Sequence, residues 1–312
     1  MTGRDLLAPL RRRLSTPTGL ALVYHRISRA RPDFSRLAPA MDPDVFRSQL
    51  EHLRAHYRVV PASQLLEEVA QARRGDRPAV AITFDDDLPA HAETAAPLLQ
   101  QAGLPAAFFL CGTSFGGEQG LWWDDLEALV ESDPGRSGTT LPDDVVFDPL
   151  RRGAPGAIHT VAEGIEQLPR QRRDEVAAQL RARAGSTERA LDETGIRALS
   201  GNGFEIGFHT RRHYLLPTLD DPELATALTE GRAELESLLG HRLTMIAYPH
   251  GKADTRVADA ARAAAFDYGF TGLARPVGRS SDPLQLGRLD AHAVAPPDFA
   301  RTVEATLARS GR

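Results

Sequence analysis

Ala79-Val80-Ala81-Ile82-Thr83-Phe84-Asp85-Asp86-Asp87 runs from a short apolar stretch directly into three carboxylates. The apolar part reads as a buried strand, so the acids stand where the strand ends. A second segment repeats the pattern with imidazoles. Phe204-Glu205-Ile206-Gly207-Phe208 is strand-like and is followed by His209-Thr210-Arg211-Arg212-His213. If the chain turns helical after Phe208, the rings of His209 and His213 share a face at about 5–6 Å. Asp86 then supplies a hard oxygen ligand. Two imidazoles and one carboxylate leave coordination positions open, as a catalytic metal requires. Asp85, beside the ligand, is suited to take the proton of an attacking water. Taken singly, the acids read as a solvated turn and the histidines as ordinary surface or core residues. Their coincidence at two strand ends points to a metal-assisted hydrolase.

Strand-like and helical stretches alternate outward from these segments. Strands are expected at 19–24, 79–84, 106–111, 204–208, 243–248, 268–271 and 286–290. Helices are expected at 43–57, 61–73, 91–102, 122–131, 221–239, 253–265 and 297–309. Strict alternation argues for a parallel sheet. Ligand-bearing motifs at the C-terminal ends of different strands argue for a barrel whose site lies on that face. Residues 131–195 interrupt the alternation. Glu131 to Gly156 reads as loop, followed by helices at 171–184 and 186–199; the segment is either a lid or substrate wall, or a peripheral ornament. Trp122 and Trp123 are either sugar-stacking residues or a helix-anchoring core pair.

Composition sets the outer bounds. The chain has 312 residues and a formal net charge of −5, enough for one large α/β domain and without the basic signature of nucleic-acid binding. Cys111 is the only cysteine, which excludes an intramolecular disulfide, and it reads as a small buried hydrophobe. No apolar run is long enough for an integral membrane segment. Residues 1–17 are expected to be an extension without a signal region, carrying a short basic helix around Leu6 to Arg13 that could lie peripherally on a membrane. A cytoplasmic location follows as the expectation.

The two motifs resemble the polysaccharide deacetylase family, carbohydrate esterase family four, which includes chitooligosaccharide and peptidoglycan deacetylases. Thr83-Phe84-Asp85-Asp86 matches the family's Thr-Phe-Asp-Asp-Gly, and His209 to His213 matches its His-Ser/Thr-x-x-His. Ala247-Tyr248-Pro249-His250-Gly251, Val23-Tyr24-His25-Arg26-Ile27, Pro105 to Leu110 and Leu121-Trp122-Trp123 are further echoes. The resemblance implies a distorted (β/α) barrel of about seven parallel strands, here with a helical insertion at 131–195 of a catalytic domain spanning 18–312. It implies Asp85 as base, Asp86, His209 and His213 as ligands of one divalent ion, and a backbone N–H near His250 as an oxyanion donor. Zn²⁺ leads, with Co²⁺, Ni²⁺ or Fe²⁺ able to use the same ligands. The implied substrate is a carbohydrate with N-acetylated amino sugars; O-deacetylation, cleavage of a small cyclic amide, or a metal-bound glycan-binding pseudoenzyme are the other readings.

Three departures from the family stand out. Asp87 replaces Gly in the first motif and adds a carboxylate expected near the substrate. His250 replaces Tyr on the substrate-facing wall. Ala247 stands where some members carry an Arg that orients the base, and Arg288 is the candidate replacement. The general acid has no Leu-x-His match. Strand alternation would place Arg288, Asp290 and His292 on one face, which makes His292 one candidate acid; His25, closing the first strand, is the other. The sequence leaves the oligomeric state open.

Overall fold

The computed structural model describes residues 18–29, 37, 40–116, 121–132, 145–152, 156–184, 190–292, 294 and 296–309. The N-terminal extension lies outside the described residues, as do parts of the insertion.

The strands are β1 (Gly19–Tyr24), β2 (Arg58–Val59), β3 (Ala79–Asp85), β4 (Ala107–Leu110), β5 (Glu205–Phe208), β6 (Met245–Ala247), β7 (Tyr268–Phe270) and β8 (Arg288–Asp290). The helices are α1 (Pro43–His56), α2 (Leu65–Gln71), α3 (Ala96–Ala102), α4 (Trp122–Ser132), α5 (Asp148–Arg151), α6 (Ala157–Glu166), α7 (Arg170–Ala184), α8 (Glu193–Gly201), α9 (Asp221–Ala227), α10 (Arg232–Leu239), α11 (Thr255–Ala263) and α12 (Phe299–Leu307). Seven strands pair in parallel in the order β7-β6-β5-β4-β3-β1-β8. Leu286, just ahead of β8, bridges to Phe270 of β7 and brings the ends of the sheet together. The result is a nearly closed (β/α) barrel. The short β2 pairs only with the start of β3.

Pleat parity sorts the side chains of β3. Val80, Ile82 and Phe84 join the apolar layer under the helices, with Leu50, Leu99 and Phe108. Ala79 and Ala81 join a second cluster with Ala21, Ala107, Phe109, Met245, Ala247 and Phe270, which fills the barrel interior. Thr83 and Asp85 share the parity of Ala79 and Ala81 and therefore also turn inward. The small alanines leave interior room for one long side chain, Arg288, which is only 1 % exposed.

Several elements differ from the sequence expectation. The single helix expected at 221–239 is two, α9 and α10, separated by Gly231 at φ 80°. Helix α8 begins only at Glu193, because Asp192 caps it by accepting the Gly195 N–H at 2.8 Å. Helix α6 was not expected at all. Its Ile158, Val161 and Ile165 nevertheless recur at helical spacing and are buried in an apolar cluster with Trp122, Leu126, Leu129, Val176 and Leu180. That cluster gathers α4, α6 and α7 around a core of their own, distinct from the two clusters of the barrel.

Candidate metal centre and active site

Asp85 ends β3 and faces the interior, only 3 % exposed. Arg288 grips it with two bonds of 2.6 Å, one from each terminal guanidinium nitrogen to each carboxylate oxygen. The guanidinium is itself fixed by the Thr83 hydroxyl at 3.2 Å and the Thr271 carbonyl at 3.2 Å. Burial pushes the Asp85 carboxyl up, but Arg288, and behind it His209, hold it down at about 2. Ala247, where an arginine was looked for, offers only its carbonyl. The cation that holds Asp85 instead comes from β8, two strands away from β3 across β1.

Asp86 leaves the strand through a left-handed backbone, φ 76°. Its Oδ1 is buried and has no hydrogen-bond partner. Two imidazoles face that atom: His209 Nε2 at 3.6 Å and His213 Nε2 at 3.8 Å. His209 follows β5 and gives its Nδ1–H to the Ala247 carbonyl at 2.8 Å, which leaves Nε2 with a free lone pair. Burial pushes the Asp86 carboxyl well up, and the neighbouring charges of Asp85, Asp124 and Asp87 push it further. Burial likewise lowers His209 to about 4 and takes His213 well down, so both rings are neutral. One ligand atom from each of Asp86, His209 and His213 lies within 4.8 Å of the others. Metal bonds of ~2.1 Å imply ligand separations of roughly 3.4 Å, so the two Asp86–histidine contacts, at 3.6 and 3.8 Å, need little closure. An orphaned buried carboxylate oxygen opposite two imidazole Nε2 atoms fits a divalent cation.

Strain concentrates here. Among the described residues, five non-glycine positions have positive φ, and four of them are Asp86, Thr210, His213 and His250. Each such position costs on the order of 1–3 kcal/mol and persists only where its surroundings over-determine it.

The ligands open into a cleft of about 780 Å³, lined by His25, Asp85, Asp86, His209, His213, His250 and Arg288 among others. Helix α6 forms a wall of it through His159, Glu163 and Glu166. His250 stands in this wall, its ring centroid 4.5 Å from that of His213 and its Nε2 3.3 Å from Glu166. Trp122 and Trp123 touch the cleft but are only 5 % and 8 % exposed. Trp123 packs edge-on against His213 at 4.5 Å, so the pair is mainly core that supports a ligand. Cys111 is fully buried, as expected.

Two expectations need correction. Asp87 does not face the substrate side. Its Oδ1 accepts the Cys111 N–H at 2.7 Å, and its Oδ2 accepts the Thr113 N–H at 2.7 Å and the Thr113 hydroxyl at 2.8 Å. The extra carboxylate anchors the loop after β4. His292 does not share a face with Arg288, because β8 ends at Asp290 and the His292 N–H folds back onto the Asp290 Oδ1 at 2.9 Å. Its Nε2 accepts the His25 backbone N–H at 2.9 Å, and burial lowers the ring to about 4. With Nε2 committed as an acceptor, that nitrogen carries no proton to give. His25 is the histidine that reaches the cleft.

Glu166 and Arg173 were missed by sequence reasoning. Arg173 Nε and Nη2 bind the Glu166 carboxylate at 3.2 and 3.0 Å, and Nη2 also reaches the carbonyls of Arg212 and His213 at 3.1 Å each. The period of α6 was a usable signal for Glu166. A buried arginine on a helix as polar as α7 carried none.

A nearly closed barrel that gathers two histidines, a carboxylate able to hold a metal with them, and a second, arginine-bound carboxylate at the C-terminal ends of its strands has the arrangement of an enzyme active site. Residues 72–136 and 166–269, more than half of the chain, match the family described as polysaccharide deacetylase, and the chain belongs to it. The match leaves out His25 and Arg288 and most of α6. Among solved structures, Streptococcus pyogenes deacetylase PplD in complex with acetate is similar over 94 % of this chain and 99 % of that one, with TM-score 0.62 and 15 % identity. IcaB from Ammonifex degensii aligns over 94 % and 98 % with TM-score 0.56 and 18 % identity. A de-N-acetylase from Aggregatibacter actinomycetemcomitans aligns over 92 % and 99 %, with TM-score 0.56 and 14 % identity. At these identities the likeness is one of fold. No curated protein sequence matches the chain. Among the described residues, no helix is long and apolar enough to cross a membrane.

Proposed function

We propose that the protein removes N-acetyl groups from amino sugars of a glycan or glycan precursor. The observation that carries this reading is the pairing of opposites at Asp85 and Asp86. One carboxylate is held ionised by Arg288, and its neighbour points an unpartnered oxygen at two imidazole Nε2 atoms. A divalent cation held by Asp86, His209 and His213 supplies Lewis acidity to the acetyl carbonyl and acidifies the attacking water; the ligand set suits Zn²⁺ best, with Co²⁺, Ni²⁺ or Fe²⁺ able to bind it.

The chain's own residues then divide the proton transfers. Asp85 takes the proton as the water oxygen bonds to the acetyl carbon. Arg288 keeps Asp85 ionised and in register. The backbone N–H near His250 donates to the carbonyl oxygen as negative charge develops there. His25 gives a proton to the nitrogen as the C–N bond breaks, so acetate and a free amine leave. The loop-anchoring role of Asp87 also weakens the case for a binding-only protein, because that departure from the family does not crowd the substrate side.

Incubating Zn²⁺-loaded protein with N-acetylglucosamine oligomers and with an O-acetylated glycan tests the reading. Acetate released from the N-acetylated oligomers, and abolished by His209→Ala, is the expected result. Release from the O-acetylated glycan alone would move the activity to ester hydrolysis, and bound metal with no turnover of either would leave a binding protein.

A further inference from the structure

The backbone of His213 is held by a residue that belongs to neither the barrel nor the ligand set. At φ 48° the residue occupies a conformation that non-glycine residues adopt only under constraint. Arg173, on α7, sends one terminal nitrogen to the carbonyls of both Arg212 and His213 at 3.1 Å. The same nitrogen also donates to Glu166 on α6 at 3.0 Å, and Nε donates to the other Glu166 oxygen at 3.2 Å. The guanidinium also lies 4.6 Å from the Tyr214 ring centroid and 5.8 Å from that of Trp122. The Trp122 indole N–H, on α4, completes the knot by donating to Glu166 at 3.1 Å. Arg173 is 3 % exposed, so it has no water to fall back on.

We infer that Arg173 is a positioning residue for the metal site: it fixes the backbone that aims the His213 ring at Asp86, and so makes the metal affinity depend on the insertion. The inference rests on the metal-ligand reading above. Glu166, His213 and His250 also bring donor atoms within 4.8 Å of one another. Both Glu166 oxygens are already taken by Arg173, and a guanidinium beside the carboxylate repels a cation. The group is therefore a support for the first site and not a second one. Partners of this kind, one bond removed from a ligand, commonly alter metal affinity by 10–100-fold.

The test compares Arg173→Met, Arg173→Lys and Arg172→Met, the last breaking a surface pair with Glu175. Zn²⁺ affinity is read by competition with a chromogenic chelator, and ligand geometry by the visible absorption bands of the Co²⁺-loaded protein. Arg173→Met is expected to weaken Zn²⁺ binding by about 10–100-fold and to shift the Co²⁺ bands. Arg173→Lys recovers part of both, and Arg172→Met matches the unaltered protein. If Arg173→Met fails to fold by circular dichroism, Glu166→Gln keeps the side-chain volume, loosens the guanidinium and weakens Zn²⁺ binding toward the lower end of that range. Unchanged affinity and unchanged Co²⁺ bands in whichever variant folds would overturn the inference. Metal binding by the unaltered protein that His209→Ala does not diminish would instead overturn the ligand assignment itself.

Discussion

The barrel rim contributes Asp85, Asp86, His209 and Arg288 to the cleft, while the segment from α4 to α7 contributes Trp123, Glu163 and Glu166. On the rim, acidic and basic groups emerge from strand ends whose backbones are tied into the sheet. Two of them stay incomplete: Asp86 Oδ1 has no partner, and His209 Nε2 holds a free lone pair. On the opposite wall the Glu166 charge is cancelled internally, because that carboxylate is bound by Arg173, Trp122 and His250. Burial pushes Glu166 up, yet the His250 hydrogen bond and the Arg173 charge hold it below the usual range. The rim is built to bind and react, and the other wall to hold its shape. A self-satisfied wall can steady a reactive one without competing for its metal.

The largest effect expected is on the rim. His209→Ala should remove most bound metal and nearly all acetate release, whereas Asp85→Asn should keep the metal and lose about 10²–10⁴-fold in rate. Metal analysis beside turnover separates the two; parallel loss of metal in Asp85→Asn would make Asp85 a ligand.

Next comes the acid. His25→Ala should slow amide substrates by about 10²-fold or more and spare esters with good leaving groups, while His292→Gln leaves the amide-to-ester ratio unchanged. The reverse result would restore His292 to the reaction and undo the geometric argument against it.

A pH profile sharpens the Asp85–Arg288 contact. Without the guanidinium, only the weaker pull of His209 and His25 opposes burial at Asp85, so Arg288→Met should raise its pKa and move the acid limb of kcat/KM upward by about one to three pH units. In the intact protein that limb lies low, because Asp85 is held at about 2 and remains ionised until the pH falls that far. An unmoved limb would mean that another group sets it.

The smallest effect probes the insertion's own core. Ile165→Val should cost about 0.5–1.5 kcal/mol of stability in urea without changing Zn²⁺ affinity, since Ile165 is buried in the insertion's apolar cluster and does not line the cleft. A large fall in metal affinity would erase the distinction between the two walls.

The reactive wall was legible in the sequence for a physical reason. Asp85 closes β3, Asp86 and His209 directly follow β3 and β5, and His213 is four residues beyond His209; parallel strand order brings such strand ends to one face whatever the details of packing. Arg288 was legible only as a question, because an arginine was missing at Ala247. Its answer depends on β8 lying against β1 and on the small interior alanines, neither of which is local. Local pattern misled where a turn intervened. The strand that would have carried His292 inward stops at Asp290, and the extra carboxylate of Asp87 turned to the β4 loop.

By itself, the sequence determined the alternating barrel and placed two acids and two imidazoles at its strand ends, since each is written in residues close together along the chain. Only the tertiary structure decided that Arg288 grips Asp85, that His25 and not His292 lines the cleft, and that Arg173, bound to Glu166, reaches the carbonyls of Arg212 and His213 from an insertion. Those relations join residues 7 to 203 positions apart, for example Arg173 with Glu166 and Arg288 with Asp85. They exist because closing the barrel and packing the insertion on it bury charges together, and a buried charge must find its partner wherever the fold has put it.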